Sequence, residues 1–178
     1  MKTLDYLHLD NKKVNNVVNA LSQLLADFQV YYTNLRGFHW NVKGKMFFGL
    51  HAQYEAYYNV KGKRFFSLHA KYEELYNDAA EKIDEIAERI LQLGGTPENR
   101  FSEYLKKATL KEDGFKPAGT EGMKKVLDDL SVLIKQEREI AKLAGEAEDD
   151  VTVALMDDYL ASQEKTVWMI AALLENKD

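Results

Sequence analysis

Glycine and proline are distributed very unevenly along this 178-residue chain. Both prolines and five of the ten glycines fall between residues 94 and 122, and four more glycines lie between residues 37 and 62. These two residue types interrupt helices more strongly than any others. Their distribution leaves four long segments without a helix breaker, which span residues 1–36, 63–93, 123–144 and 146–178.

Apolar residues recur in each of the four segments with the spacing of an amphipathic helix. In the second segment they are Phe65, Leu68, Tyr72, Leu75, Tyr76, Ala79, Ile83, Ile86 and Ile90. No alternating strand pattern competes with this periodicity. The sequence therefore predicts an all-α protein whose four helices form a four-helix bundle, as a single domain over residues 1–178.

The lengths of the connections constrain how the helices are arranged. The break near Gly145 is short, so the last two helices are predicted to be antiparallel neighbours. The connection from about residue 95 to 119 is long enough to cross the length of the bundle. Residues 101–111 are a candidate for a short extra helix inside it, and Asp149 and Asp150 are candidate N-caps of the last helix.

Composition excludes several classes of function. The chain has no cysteine, which rules out disulfide scaffolds, zinc–thiolate sites and cysteine catalysis. Its formal net charge of −5 argues against a broadly basic nucleic-acid surface. The first residues lack the apolar core of a signal peptide, and no run of 18 apolar residues exists. We therefore expect a soluble, cytoplasmic protein without a membrane span.

Residues 38–55 and 56–73 form a tandem repeat in which 12 of the 18 positions are identical, with no gap. The copies differ at their start, where Phe38-His39-Trp40 is replaced by Ala-Tyr-Tyr. Two copies between unrelated helices do not make a solenoid. The repeat is a tandem duplication of natural origin or an artefact of sequence assembly.

Four polar residues lie within one arc of the second helix, on or near its apolar face. His69 and Glu73 are spaced i,i+4, as are Asp84 and Glu88, so each pair can direct two ligands to one point. The two pairs cannot share a metal within one helix, because Glu73 and Asp84 are roughly 16 Å apart along the axis.

A twofold partner would bring the two pairs together. If two copies of this helix cross antiparallel near residue 78, His69 and Glu73 of one copy face Asp84 and Glu88 of the other. The same holds with the copies exchanged, so the dimer has two equivalent sites. Imidazole and carboxylate ligands suit iron, manganese or zinc. The alternative is an ordinary solvated stripe of i,i+4 pairs. Glu-x-x-His, which is typical of intra-bundle di-iron centres, does not occur in the chain.

Two motifs in the correct order resemble the signatures of a known family. The sequence HWNVKG at residues 39–44, followed by Leu50-His51 and Glu55, resembles the first signature of the Dps family of mini-ferritins. The sequence IDEIAER at residues 83–89 resembles the second. Apart from the repeat, the resemblance covers nearly the whole chain, and it implies a ferritin-like four-helix bundle with a short extra helix between helices two and three.

The resemblance also implies a function. It implies a hollow homo-oligomer of twelve subunits, a dodecamer, that binds Fe(II) between twofold-related subunits, oxidises it with hydrogen peroxide and stores the ferric mineral inside. Such a ferroxidase protects a cell against oxidative damage. By this resemblance the iron ligands are His39, His69, Glu73, Asp84 and Glu88. Trp40 would lie beside the site as a redox-active aromatic that can intercept an electron hole. Many members have Asp where this chain has Glu73.

The duplication makes the choice of the second histidine ambiguous. His51 and Glu55 keep the family spacing to His39, whereas His69 and Glu73 keep the family spacing to the acidic pair that follows. If the first copy supplied the ligands, 18 extra residues would lie inside the second helix, which is predicted to form the dimer contact, and would lengthen it by about 27 Å. If the second copy serves, residues 41–58 are an insertion in a connection, where extra length is tolerated. We therefore expect His69 and Glu73 to be the ligands.

Two other functions remain open at this stage: a DNA-compacting shell and a structural assembly without ferroxidase activity. Residues 1–16 contain three lysines and two aspartates, so they do not form a strongly basic tail. Twelve subunits would together carry a formal charge of about −60, which repels phosphate. DNA binding is accordingly expected to be weak or absent.

Overall fold

The computed structural model describes residues 3–42, 68–114 and 120–175. In these ranges the chain forms helices and no strands, namely α1 (Leu4–Leu7), α2 (Asn11–Asn41), α3 (Leu68–Gln92), α4 (Phe101–Lys107), α5 (Glu121–Glu146) and α6 (Asp150–Glu175). The prediction of an all-α four-helix bundle with a short extra helix in the long connection is confirmed. The expected insertion at residues 41–58 lies outside the described residues, except for the last residue of α2 and the one after it.

Capping chemistry accounts for the start of α2 and the end of α3, whereas α2 and α5 both run through a glycine. Asp10 caps α2, since its carboxylate accepts hydrogen bonds from the backbone N–H groups of residues 12 and 13. α3 ends before Gly94, whose φ of +77° is a conformation that glycine adopts without strain. However, α2 continues through Gly37, and α5 includes Gly145. At Gly37, burial of the next residue, Phe38, offsets the roughly 1 kcal/mol cost of a glycine inside a helix.

Helix α2 is the central element of the bundle. It packs against α3, α5 and α4, while α5 also packs against α6. The core between them is formed by fully buried apolar side chains, which include Leu21, Leu24, Phe28, Leu35, Phe38, Tyr72, Ile86, Ile90, Leu130 and Met156. Of the described helices, none combines the length and apolar character needed to cross a membrane.

A buried carboxylate fastens the long connection to α2. Asp27 is fully buried, and it accepts hydrogen bonds from the backbone N–H of Leu110 at 2.7 Å and from the side-chain amide of Gln136 at 2.8 Å. Two turns later, the Asn34 amide oxygen accepts from the backbone N–H of Asp113 at 3.0 Å. The bonds from Leu110 and Asp113 satisfy backbone N–H groups that have no helical partner.

A buried ion pair joins the end of α3 to the beginning of α6. The Arg89 guanidinium donates to the Asp149 carboxylate at 2.5 Å and to the Thr152 hydroxyl at 2.8 Å. Asp149 also accepts from the backbone N–H of Thr152 at 3.1 Å, so it caps α6, as predicted. Because both partners of the ion pair are buried and hydrogen bonded, removal of one would leave an uncompensated charge.

One buried acid in α5 has an unsatisfied oxygen. Glu137 is fully buried, and one of its carboxylate oxygens accepts from the Gln163 side chain in α6. Among the described residues, the other oxygen has no hydrogen-bond partner. Burial raises the pKa of Glu137 from its ordinary 4.5 to about 7, because the charged form is poorly solvated.

Glu137→Gln is expected to stabilise the protein above neutral pH. The folded wild type binds the Glu137 proton more tightly than the unfolded chain does, so stability from this group falls as pH rises from about 4.5 to about 7. Gln does not titrate, so the variant keeps its stability where the wild type loses it. The free energy of unfolding of the variant minus that of the wild type should therefore rise by about 2 kcal/mol between pH 5 and pH 8. Urea denaturation at equal protein concentration measures the difference.

Glu139→Gln in the same helix is the control, because Glu139 is exposed. Its stability relative to the wild type should be nearly independent of pH over this range. An equal pH dependence for the two variants would contradict the assignment of the effect to burial of Glu137.

Candidate metal centre

The two predicted histidine ligands of one chain lie in direct contact. His39 is in the last turn of α2 and His69 is in the first turn of α3. Their imidazole rings are stacked, with centroids 3.7 Å apart and an interplanar angle of 25°. The helix ends therefore place side chains that are 30 residues apart in sequence at one point.

Reciprocal hydrogen bonds to the backbone fix both rings. The Nδ1 atom of His39 lies 3.0 Å from the carbonyl oxygen of His69, and the Nδ1 atom of His69 lies 3.0 Å from the carbonyl oxygen of His39. A carbonyl oxygen only accepts, so each Nδ1 atom must carry a hydrogen. In a neutral imidazole of this tautomer the lone pair is on Nε2, where a metal can bind.

Aromatic side chains support the histidine pair from the bundle side. The ring of Tyr76 makes an edge contact with His39, with centroids 5.3 Å apart. Tyr32 contacts Tyr76 in the same way at 6.1 Å. Phe38, which precedes the first histidine, packs on Tyr72 at 5.7 Å. The end of α2 is thus held against α3 by ring packing as well as by hydrogen bonds.

The predicted carboxylates lie on the exposed side of α3. Glu73, Asp84 and Glu88 are all exposed, whereas His69 is half-buried. Asp84 is 15 residues beyond His69, which corresponds to about 22 Å along the helix. Within the described ranges, no group of three or more His, Asp or Glu side chains is close enough to hold one ion. The described part of a single chain therefore does not bring all the predicted ligands together.

Trp40 lies at the end of α2 but faces the solvent. Its side chain is 65% exposed, and its ring is covered by the guanidinium of Arg36 at 4.7 Å. The same guanidinium also lies 5.3 Å from the Tyr32 ring. The alternative ligands His51 and Glu55 lie outside the described residues.

Sequence reasoning did not identify two features of this part of the bundle. Tyr76 was assigned to the core by its spacing, but it is half-buried and contacts a predicted ligand. The reciprocal bonds of the histidines were also missed, because they depend on how the two helix ends approach each other. The i,i+7 spacing of His69 and Tyr76, which puts them on one helix face, was the available signal.

Comparisons with known proteins identify the family to which the helical bundle belongs. A family model described as a ferritin-like domain matches residues 53–178, so the helical bundle is that of a ferritin-like protein. The DNA protection during starvation protein of Porphyromonas gingivalis is 51% identical over 171 residues, covering 96% of each chain.

Solved structures give the same result. The crystal structure of a Dps protein from Vibrio cholerae O1, described as a member of a superfamily of ferritin-like diiron-carboxylate proteins, aligns with a TM-score of 0.80 and 45% identity over 93% of each chain. Dps from Staphylococcus aureus aligns with a TM-score of 0.76 and 34% identity over 90% of this chain and 95% of that one. The chain belongs to the Dps family of ferritin-like proteins, a membership that supports iron storage and protection as its general function.

Proposed function

We propose that this protein is a ferroxidase that oxidises Fe(II) with hydrogen peroxide at sites shared between twofold-related subunits and stores the ferric product inside a dodecameric shell. The observation that carries the proposal is the contact between His39 and His69, with each Nδ1 atom bonded to the backbone. Two neighbouring imidazoles whose Nε2 atoms carry the lone pairs offer nitrogen ligands of the kind that divalent transition metals bind.

The second half of the site is proposed to come from the partner subunit. Asp84 and Glu88 are exposed on the same face of α3 as Glu73, which follows the histidine by one turn. An antiparallel crossing of two α3 helices would bring the acidic pair of one chain to the histidine side of the other. The complete ligand set is then His39, His69 and Glu73 from one chain, with the acidic pair from its partner.

The chemistry of this ligand set suits Fe(II) as a substrate. Imidazoles and carboxylates bind Fe(II), and carboxylates stabilise the Fe(III) product because of their charge. Peroxide accepts one electron from each of two Fe(II) ions, its O–O bond breaks, and two protons complete two water molecules. Such a reaction removes both reagents that would otherwise generate hydroxyl radical, which agrees with a protective function.

Substitution of the histidines tests which copy of the repeat supplies the iron ligands. His69→Ala is expected to lower the initial rate of peroxide-dependent ferric absorbance roughly 10- to 100-fold, because it removes an iron ligand. His51→Ala is the matched control, since it changes the equivalent position of the other copy, and it should leave the rate unchanged. Loss of activity in His51→Ala alone would contradict the assignment, and a wild type without fast oxidation would contradict the ferroxidase proposal.

Mixed assemblies test whether the site is shared between subunits. One chain carries His69→Ala and the other carries Asp84→Asn with Glu88→Gln, so neither chain alone can build an intact site. Random pairing of equal amounts after co-expression should restore about a quarter of the wild-type sites, because half of the dimers are mixed and each has one intact site.

Two comparisons make this result interpretable. The two variants assembled separately and then mixed should remain inactive, because their subunits do not pair. If co-expression also gave no activity while the assemblies were intact, all ligands would belong to one chain and the shared site would be wrong.

DNA binding is the second candidate function, since the relative from Porphyromonas gingivalis is named for DNA protection. We expect no retardation of plasmid DNA in a gel-shift assay at moderate salt without free iron, because the net charge of the chain is −5 and a shell repeats it on every subunit. Protection would then arise from removal of iron and peroxide. Retardation under these conditions would favour direct DNA binding, and a variant with additional lysines at the amino terminus provides the positive control.

A further inference from the structure

A cavity of about 390 Å³ lies between α3 and α6 and extends to core residues of α2 and α5. Its lining includes Tyr31 of α2 and Gln163 of α6, which are only 2% and 4% exposed. Among the described residues, neither the phenolic oxygen of Tyr31 nor the side-chain amide oxygen of Gln163 has a hydrogen-bond partner. Buried polar atoms in native proteins nearly always have a partner, so these two oxygens indicate that the cavity binds something.

A third buried oxygen without a partner belongs to Glu137 of α5. The Gln163 amide nitrogen donates to one carboxylate oxygen of Glu137, while the other oxygen accepts from no side chain within the described ranges. The charge of Glu137 contributes to the raised pKa of Tyr31, so this carboxylate lies near the phenol. Three helices therefore bring together three oxygen atoms that can coordinate a cation or accept hydrogen bonds.

The charged groups around Glu137 cancel in pairs. The titratable side chains that face it from the surrounding helices are Tyr31, Asp78, Lys82, Arg138 and Tyr159. Both phenols are neutral, because burial raises the pKa of each. Lys82 is bonded to Asp78, and Arg138 is paired with Glu164. An ionised Glu137 therefore adds one negative charge that these pairs leave uncompensated.

The basic residues in the lining of the cavity do not supply this missing charge. Lys71 is paired with Glu74 at 2.6 Å, which cancels its charge locally. Lys165 is exposed, so water solvates its ammonium group. A charge taken up from solution is the remaining way to balance an ionised Glu137.

We propose that this cavity binds a small monovalent cation, coordinated by the carboxylate of Glu137, the amide oxygen of Gln163 and the phenolic oxygen of Tyr31. A buried carboxylate must hold a proton or a positive ion, because an unpaired charge is costly away from water. Protein oxygens can replace the hydration shell of such an ion. In the part of the chain that the structure describes, no three acidic or histidine side chains group together, so the charge suits a monovalent ion better than a divalent one.

The cation competes with a proton for Glu137. Burial raises the pKa of this acid to about 7, so at lower pH it is neutral and has no charge for an ion to balance. Above that pH the folded protein loses the stability that the proton supplied, and a bound cation restores part of it. The potassium concentration that gives half of this effect should be roughly tenfold higher at pH 6 than at pH 8, because the proton occupies the site at the lower pH.

Urea denaturation of the full protein in potassium chloride and in choline chloride, at equal ionic strength and protein concentration, tests the site. Choline is the reference, because its bulk prevents three convergent oxygens from coordinating it. Above neutral pH the urea midpoint of the wild type should be higher in potassium chloride, and the difference should vanish in acid. Parallel series in sodium and ammonium chloride identify which small cation binds most tightly.

Three variants separate a bound ion from a general effect of salt. Glu137→Gln should abolish the difference between potassium and choline, because it removes the charge that the ion balances. Glu139→Gln is the matched control at an exposed acid of the same helix and should behave as the wild type. Tyr31→Phe keeps the ring and removes one ligand, so it should weaken the potassium effect and leave its pH dependence in place.

Equal urea midpoints of the wild type in the four chloride salts above neutral pH would overturn the cation site and assign the three oxygens to bound water. A potassium effect of the same size in Glu137→Gln would overturn it as well, since the effect would then not depend on the buried charge. If Glu137→Gln failed to fold, an undiminished potassium effect in Tyr31→Phe would still contradict the proposed coordination.

Discussion

The contact between the last turn of α2 and the first turn of α3 positions both histidines of the candidate site. His39 and His69 each use their Nδ1 atom to bond the backbone carbonyl of the other, so one pair of residues both connects the helices and orients the rings. Orientation by backbone groups is more rigid than orientation by a mobile side chain, because the carbonyl positions are fixed by the helices. The orientation of both rings is thus a consequence of how two helix ends meet.

The helical architecture could be predicted because it depends on local rules. The positions of glycine and proline and the 3.6-residue periodicity are properties of short stretches, so the four helices and α4 follow from them. Helix ends were less accurate at Gly37 and Gly145, where α2 and α5 continue. At Gly37, the free energy gained by burying the neighbouring Phe38 exceeds the cost of glycine in a helix. Rules based on short stretches of sequence do not include this packing energy.

The candidate site could be predicted only in part. The i,i+4 pairs on α3 and the family motifs identified the candidate ligands, and the argument about helix length favoured His69, which contacts His39 in the structure. The ring contact of Tyr76 and the burial of Glu137 could not be predicted, because they depend on the rotation of helices about their axes and on the side-chain conformations between them. Spacing assigns a residue to a helix face but does not determine its neighbours on another helix.

Contact between His39 and His69 also brings together the two ends of the chain segment that joins α2 to α3. The last described turn before this connection and the first described turn after it lie at nearly the same point of the bundle. The entropy of closing such a loop increases only logarithmically, so a doubling of its length costs about 0.6 kcal/mol. Extra length in the α2–α3 connection therefore costs little free energy while the two helix ends keep their contact.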